Sequence, residues 1–113
     1  MKLTTHVLDT AHGRPAAGLS LKLTRLSDGM VLKRAITNSD GRVDTPLLEG
    51  DSFNFGTYEL VFSVGAYFRS LGLALPDPAF LDEIPIRFGI SENSHYHVPL
   101  LVSPFSFSTY RGS

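Results

Sequence analysis

Cysteine is absent from this sequence of 113 residues. Without it the chain can form no disulfide bond, no thiolate nucleophile and no zinc site built from cysteine ligands. Any chemistry must therefore come from histidine, arginine, tyrosine, serine, threonine or carboxylate side chains.

An excess of positive charge is also missing. Ten lysine and arginine residues are balanced by eleven carboxylates, for a net charge of -1. No basic run offers a complementary surface to a phosphate backbone, so nucleic acid is not an expected partner. No apolar run approaches the length of a membrane span, and residues 1–9 lack the apolar core of a signal peptide. These absences predict a soluble cytoplasmic protein with no membrane partner.

What the sequence does contain is a repeated alternation of apolar and polar residues, which is typical of strands with one buried face. The apolar positions are Leu19, Leu21 and Leu23; Tyr58, Leu60, Phe62 and Val64; and Ile84, Ile86, Phe88 and Ile90. Turn signals such as Ser27-Asp28-Gly29 separate these runs. The pattern predicts an all-β sandwich or barrel, formed as a single domain over residues 1–113.

One segment, from Gly65 to Gly72, departs from the strand pattern. It predicts a helix of about two turns with Ala66, Tyr67, Phe68 and Leu71 on its apolar side. The two prolines that follow, in Leu75–Pro78, predict a connecting loop.

The strand alternation also predicts where the histidines lie. Tyr96, Val98, Leu100 and Val102 form an apolar face, so His95, His97 and Pro99 belong to the opposite face. By the same logic His6 shares an outward face with Thr4 and Leu8. An exposed histidine on a strand is most often simply solvated, and we expect this of His12, which stands in a turn.

Two other interpretations of these polar residues stay open at this point. His95 and His97, about 7 Å apart along a strand, could hold a metal ion together with His6, although no carboxylate stands beside them as a supporting partner. Arg42 follows an Asp-Gly turn, where it is either a solvated charge or a planar donor group for an oxygen-rich ligand.

The last residues are similarly ambiguous. Ser106, Ser108 and Tyr110 alternate with Phe107, Thr109 and Arg111, which allows strand structure almost to the end. A terminal Arg-Gly-Ser is otherwise an ordinary frayed end.

Several of these motifs together resemble the transthyretin-like 5-hydroxyisourate hydrolases of urate breakdown. The matching segments are LTTHVLDT (3–10), GRPA (13–16), DGR (40–42), GAYF (65–68), HVPLLVSP (97–104) and YRGS (110–113). The terminal YRGS is that family's signature and distinguishes the enzymes from the hormone carrier transthyretin, which shares their fold.

The resemblance implies a two-sheet β-sandwich of seven to eight strands with one short helix, assembled as a homotetramer with active sites where subunits meet. It implies catalytic roles for His6, Arg42 and His97 and substrate-binding roles for Tyr110 and Ser113, whereas His95 lies outside the motif. The reaction it implies is hydrolysis of a cyclic acyl C–N bond in a small molecule, with no cofactor and no metal. The alternative is a carrier of the same fold that holds a small planar ligand without turning it over.

In the implied reaction, one histidine takes a proton from water while the other orients or protonates the substrate. Arg42 binds a carbonyl or oxyanion oxygen and favours the neutral form of a nearby histidine. Tyr110 hydrogen-bonds the substrate ring, and Ser113 closes the site. The sequence does not assign the two histidine roles.

Overall fold

The computed structural model describes all residues from Met1 to Ser113 and contains two packed β-sheet layers. The strands are β1 (Lys2–Thr4), β2 (Val7–Asp9), β3 (Arg14–Pro15), β4 (Ser20–Arg25), β5 (Met30–Ile36), β6 (Leu48–Glu49), β7 (Gly56–Ser63), β8 (Glu83–Ile90), β9 (Tyr96–His97), β10 (Leu100–Ser103) and β11 (Ser106–Ser108). A 3-10 turn at Gly50–Ser52 and one helix, α1 (Val64–Ser70), complete the elements. The predicted all-β sandwich with one short helix is confirmed.

The first sheet is built on two neighbouring interrupted strands, and the interruption divides it into a three-stranded part, β6-β1-β9, and a four-stranded part, β11-β10-β2-β3. β1 continues into β2 and β9 into β10, and the two pairs run parallel, with β6, β3 and β11 at their flanks. Hydrogen bonds cross the interruption: the amide of Val98 donates to Thr4 and that of Leu100 to His6, each over 2.9 Å. These interruptions help to explain why there are eleven short strands where seven or eight are predicted.

The second sheet has the order β5-β4-β7-β8, and all its pairs are antiparallel. Its register places apolar residues opposite one another, as in Leu21 against Phe62 and Leu23 against Leu60. Since successive side chains point to opposite faces, this register buries one complete face.

The core between the sheets contains 21 apolar residues and confirms the predicted alternation. The leucines of β4 and the inward residues of β7 are buried, as are Tyr96, Val98, Leu100 and Val102 on the β9–β10 strand. Pro99 is also buried, although the alternation assigns it to the outward face. Thr109 explains this difference, because its hydroxyl donates to the carbonyl of Pro99 over 2.7 Å and brings the C-terminal segment over it.

The helix is present, but its buried face differs from the prediction. Tyr67 and Phe68 are buried with Val64, whereas Ala66 and Leu71 are exposed. Residues 64, 67 and 68 have the i, i+3, i+4 spacing of one helical face, and Ala66 falls on the other side. Leu71 lies beyond the last helical residue and therefore leaves that face. Residues 75–78 form the predicted loop.

The expectation that His12 is simply solvated is wrong. Its Nδ1 lies 2.6 Å from a carboxylate oxygen of Asp9, which is fully buried beneath it. Tyr67 donates its hydroxyl hydrogen to the same oxygen over 2.8 Å, so this polar group joins the β2–β3 loop to α1.

The one helix, α1, is too short to span a membrane.

Candidate active site

The pairing of β1 with β9 brings the two predicted site histidines onto one surface. Thr4 and His97 are direct partners in this parallel ladder. His6 lies two residues beyond Thr4 and is half-buried, as Thr4 and His97 are. Because residues two apart share a face of the strand, all three side chains leave the sheet on its outward side.

Arg42 reaches this surface through a tight turn that closes against β2. The backbones of His6 and Arg42 pair as an antiparallel bridge, and the amide of Val7 donates to the carbonyl of Gly41 over 2.8 Å. Gly41 has a φ of 73°, and a Cβ there would collide with the carbonyl oxygen of Val7. The Asp-Gly-Arg sequence is therefore needed because only glycine allows the turn to approach β2 so closely.

The Asn38 side chain stabilises the same turn. Its Oδ1 accepts from the amides of Asp40 over 2.9 Å and of Arg42 over 3.1 Å. The guanidinium of Arg42 is exposed and has no hydrogen-bond partner in this chain, so its donors are free for a ligand.

The backbone contact of His6 defines which of its nitrogens carries a proton in the neutral ring. Nε2 of His6 lies 2.8 Å from the carbonyl oxygen of Asp40. A carbonyl can only accept, so Nε2 carries the hydrogen and Nδ1 keeps a lone pair. His6 is thereby prepared to accept a proton at Nδ1.

His97 has a different environment. Its Nδ1 lies 2.9 Å from the hydroxyl oxygen of Thr4. Burial lowers the pKa of His97, and the positive charges of Arg42 and of His6 lower it further, because each disfavours an imidazolium. These surroundings therefore favour the neutral form of His97 over the imidazolium.

The C-terminal segment packs directly on His97. The backbones of His97 and Gly112 form an antiparallel bridge. A Cβ at position 112 would lie 3.1 Å from Cδ2 of the imidazole. Arg111 anchors the segment from the other side, with its guanidinium carbon 4.1 Å from the centre of the Tyr96 ring and Nη1 3.2 Å from Glu92.

The structure thus brings together His6, Arg42 and His97 but separates Tyr110 from them within one chain. Tyr110 is 58% exposed. It lines a cavity of about 210 Å³ on the β8 side of the C-terminal segment, whereas none of the three cluster residues does. Ser113 is exposed one residue beyond the Gly112 bridge.

His95, the third member of the metal interpretation, is exposed, and its carbonyl accepts a long hydrogen bond from Arg111. The structure contains no group of three histidine, cysteine or carboxylate side chains placed to hold a metal ion.

Sequence reasoning missed two contacts that define the histidines, those of Thr4 with His97 and of the Asp40 carbonyl with His6. The sequence placed Thr4 on the same face as His6, but the first contact depends on the register between β1 and β9, which the sequence does not show. The second had no signal, because a carbonyl oxygen belongs to every residue type.

Comparison with known proteins confirms the resemblance seen in the sequence. Residues 3–112 match the HIUase/Transthyretin family. The chain is 65% identical to 5-hydroxyisourate hydrolase 2 of Rhizobium meliloti, an alignment covering 99% of this chain and 96% of that protein. It is 62% identical to 5-hydroxyisourate hydrolase of Mesorhizobium japonicum, covering 99% and 92%.

Solved structures agree with the sequence matches. An (S)-allantoin synthase superposes with a TM-score of 0.95 at 49% identity, and this chain spans 43% of its length. Klebsiella pneumoniae 5-hydroxyisourate hydrolase superposes with a TM-score of 0.84 at 35% identity, covering 99% of this chain and 98% of that one. Sea bream transthyretin in complex with thyroxine gives 0.87 at 27% identity, covering 99% and 95%.

Proposed function

The chain belongs to the HIUase/Transthyretin family. We therefore propose that it hydrolyses 5-hydroxyisourate at the cluster formed by His6, Arg42 and His97. This proposal rests on one observation: two histidines and an arginine without a side-chain partner lie on one surface. The C-terminal segment is attached to His97 beside them. Its full-length relatives with high identity are named as hydrolases of this substrate.

The reaction needs a nucleophilic water, stabilisation of negative charge on the attacked carbonyl oxygen and a proton for the leaving nitrogen. His6 accepts a proton at Nδ1 as water adds to the acyl carbon. The resulting imidazolium gives that proton to the leaving nitrogen of the substrate as the C–N bond breaks. His6 is then neutral again. This assigns His6 as the base and then the acid.

Arg42 and His97 stabilise the developing oxyanion. The guanidinium of Arg42 is free of partners in this chain and provides a permanent positive charge. A neutral imidazole can act as a hydrogen-bond donor to a carbonyl oxygen, a role for which a lowered pKa is suitable. His97 therefore orients and polarises the substrate. The scheme requires no metal or cofactor.

We also propose that the chain acts as a homotetramer. Strands β8 and β11 each lie at one edge of a sheet, and edge strands are competent to pair with another chain. Phe80 and Phe105 are 70% and 62% exposed, with ring centres 6.0 Å apart. An exposed aromatic pair of this kind is typical of an association surface.

In this assembly Tyr110 and Ser113 would reach substrate at a site shared between subunits, which would account for the exposure of Tyr110 within one chain. Light scattering on a sizing column tests the assembly, and a monomer with full activity would contradict it. The cytoplasmic location stays a prediction, to be tested by cell fractionation.

The activity is tested by following the ultraviolet absorbance of freshly generated 5-hydroxyisourate in buffer with EDTA. Decay faster than the spontaneous rate is expected, and His97→Ala should reduce the enzymatic rate about 10²-fold or more. His95→Ala is the matched control, because His95 is exposed on the same segment. A folded protein that does not accelerate decay would contradict the proposal and direct attention to the carrier alternative.

A further inference from the structure

The Thr4 hydroxyl is the only side chain that hydrogen-bonds the imidazole of His97 in this chain, and it does so at Nδ1 over 2.9 Å. The contact follows from the sheet, because Thr4 and His97 are paired residues of the parallel β1–β9 ladder. Both side chains are half-buried, which limits the competition from solvent. The contact is therefore a direct consequence of the strand pairing.

A threonine hydroxyl can donate or accept, so the direction of this hydrogen bond has to be argued. Other threonines of the same sheet region act as donors: the hydroxyl of Thr5 donates to Val98 over 2.7 Å and that of Thr109 to Pro99 over 2.7 Å. The hydroxyl of Thr4 has no carbonyl partner, and its one hydrogen-bond partner in the chain is Nδ1 of His97, so donation to Nδ1 is the arrangement in which Thr4 acts as these threonines do. Donation by Thr4 places the lone pair on Nδ1 and the ring proton on Nε2.

The ring is also restrained on its other edge. Gly112 approaches the side of the imidazole that carries Cδ2, opposite the edge that Thr4 contacts. A flip of the ring would exchange Nδ1 with Cδ2 and would lose the hydrogen bond. Thr4 and the C-terminal segment therefore restrain the same ring from two edges.

We propose that Thr4 is a positioning residue that keeps the proton of neutral His97 on Nε2, so that His97 presents a hydrogen-bond donor to the substrate oxygen. This inference rests on the proposed function of the cluster, and it adds that the two neutral histidines are held in the same tautomer. Both carry the hydrogen on Nε2, but His6 directs it into the Asp40 carbonyl whereas His97 keeps it for the substrate.

The test compares Thr4→Val, which preserves shape but removes the hydroxyl, with Thr4→Ser, which retains a hydroxyl. Imidazole ¹⁵N shifts of labelled protein report which nitrogen of His97 is protonated and require no turnover. We expect the Nε2–H form in the wild type and in Thr4→Ser, and a mixture of both forms in Thr4→Val. The kcat of Thr4→Val should fall about tenfold or more, with KM less affected, and serine should restore most of the rate.

Thr5→Val is the matched control. Thr5 is adjacent, but its hydroxyl is buried on the opposite face and donates to a backbone carbonyl, so its loss should lower stability without changing the protonation of His97. Urea unfolding verifies that each variant is folded.

Two results would overturn the proposal: a wild-type His97 protonated on Nδ1, or a Thr4→Val protein with unchanged ¹⁵N shifts and kcat. The ¹⁵N shifts are read without substrate. If the protonation of His97 depended on Thr4 but the protein had no hydrolase activity, the proposed function would be wrong and the role of Thr4 in setting the tautomer would stand.

Discussion

Gly112 exchanges two backbone hydrogen bonds with His97: its amide donates to the carbonyl of His97 over 2.7 Å, and the amide of His97 donates back over 3.2 Å. The C-terminal segment is therefore attached to the residue whose imidazole faces the candidate site. Because a side chain at position 112 would crowd that imidazole, glycine is needed there for spatial reasons and not for an unusual backbone angle.

Gly112→Ala should consequently impair catalysis more than stability. The added Cβ would lie 3.1 Å from Cβ and Cδ2 of His97, so the imidazole must move by a few tenths of an ångström. We expect kcat to fall roughly tenfold, since small displacements of reacting groups are costly. Steady-state kinetics with thermal unfolding on the same samples measure both effects.

Gly89→Ala is the control for Gly112→Ala. Gly89 also has an ordinary φ, but a Cβ there meets nothing within 4 Å. Equal losses of activity in the two variants would show that the His97 contact is not the cause.

The sequence was sufficient to predict the outward face of His6 and His97, because that face follows from alternation along single strands. It was not sufficient to predict that Thr4 lies beside His97, since this depends on the register between strands 93 residues apart. The buried charge of Asp9 was missed for another reason: a carboxylate normally stays at the surface unless several donors surround it.

Arg111 should position the C-terminal segment through its contact with Tyr96. Its guanidinium carbon stands 4.1 Å from the ring centre, which favours Arg111 over lysine because a planar group stacks on an aromatic face. Arg111→Ala should lower kcat several-fold while changing the free energy of unfolding by about 1 kcal/mol or less. Arg111→Lys should recover only part of the rate.

Glu92→Gln removes the ion pair of Arg111 but leaves its contact with the Tyr96 ring. Glu92 and Arg111 are both exposed, and exposed ion pairs contribute little. Near-normal kinetics are expected for Glu92→Gln. A loss as large as that of Arg111→Ala would instead assign the anchoring to the ion pair.

Arg42 should lower the pKa of His97 beyond the effect of burial. The pKa of His97 is lowered by burial and then by the charges of Arg42 and His6, so the neutral ring persists to a pH below the ordinary value of about 6.5. Protonation of His97 should therefore contribute to a loss of enzymatic rate only as the pH falls below about 6.5. Arg42→Gln removes one positive charge and should raise the pKa of His97 towards its ordinary value.

Arg42→Lys is the control, because it retains the charge without the planar donors. An NMR titration of His97 in both variants is independent of their activity. If glutamine and lysine gave the same pKa, the charge of Arg42 would not be the cause.

The Asp9 carboxylate should make a pH-dependent contribution to stability. Burial alone would raise its pKa, but hydrogen bonds from Tyr67 and His12 outweigh burial and leave the pKa below its ordinary value. Because the folded-state pKa is the lower one, this stabilisation is complete above the unfolded pKa, about 3.9, and is lost as the pH falls further. Asp9→Asn should flatten that acid loss, as measured by urea unfolding at fixed protein concentration.

At neutral pH, Asp9→Asn should cost about 2 kcal/mol and Tyr67→Phe about 1 kcal/mol, since hydrogen bonds to a charged group are the stronger ones. The double variant should lose less than the sum of the two, because both changes remove the same 2.8 Å contact. Asp51→Asn removes an exposed carboxylate with no side-chain hydrogen bond and serves as the control. Strict additivity of the two buried changes would mean that Tyr67 and Asp9 stabilise the fold independently, and that the β2–β3 loop is not joined to α1 through this hydrogen bond.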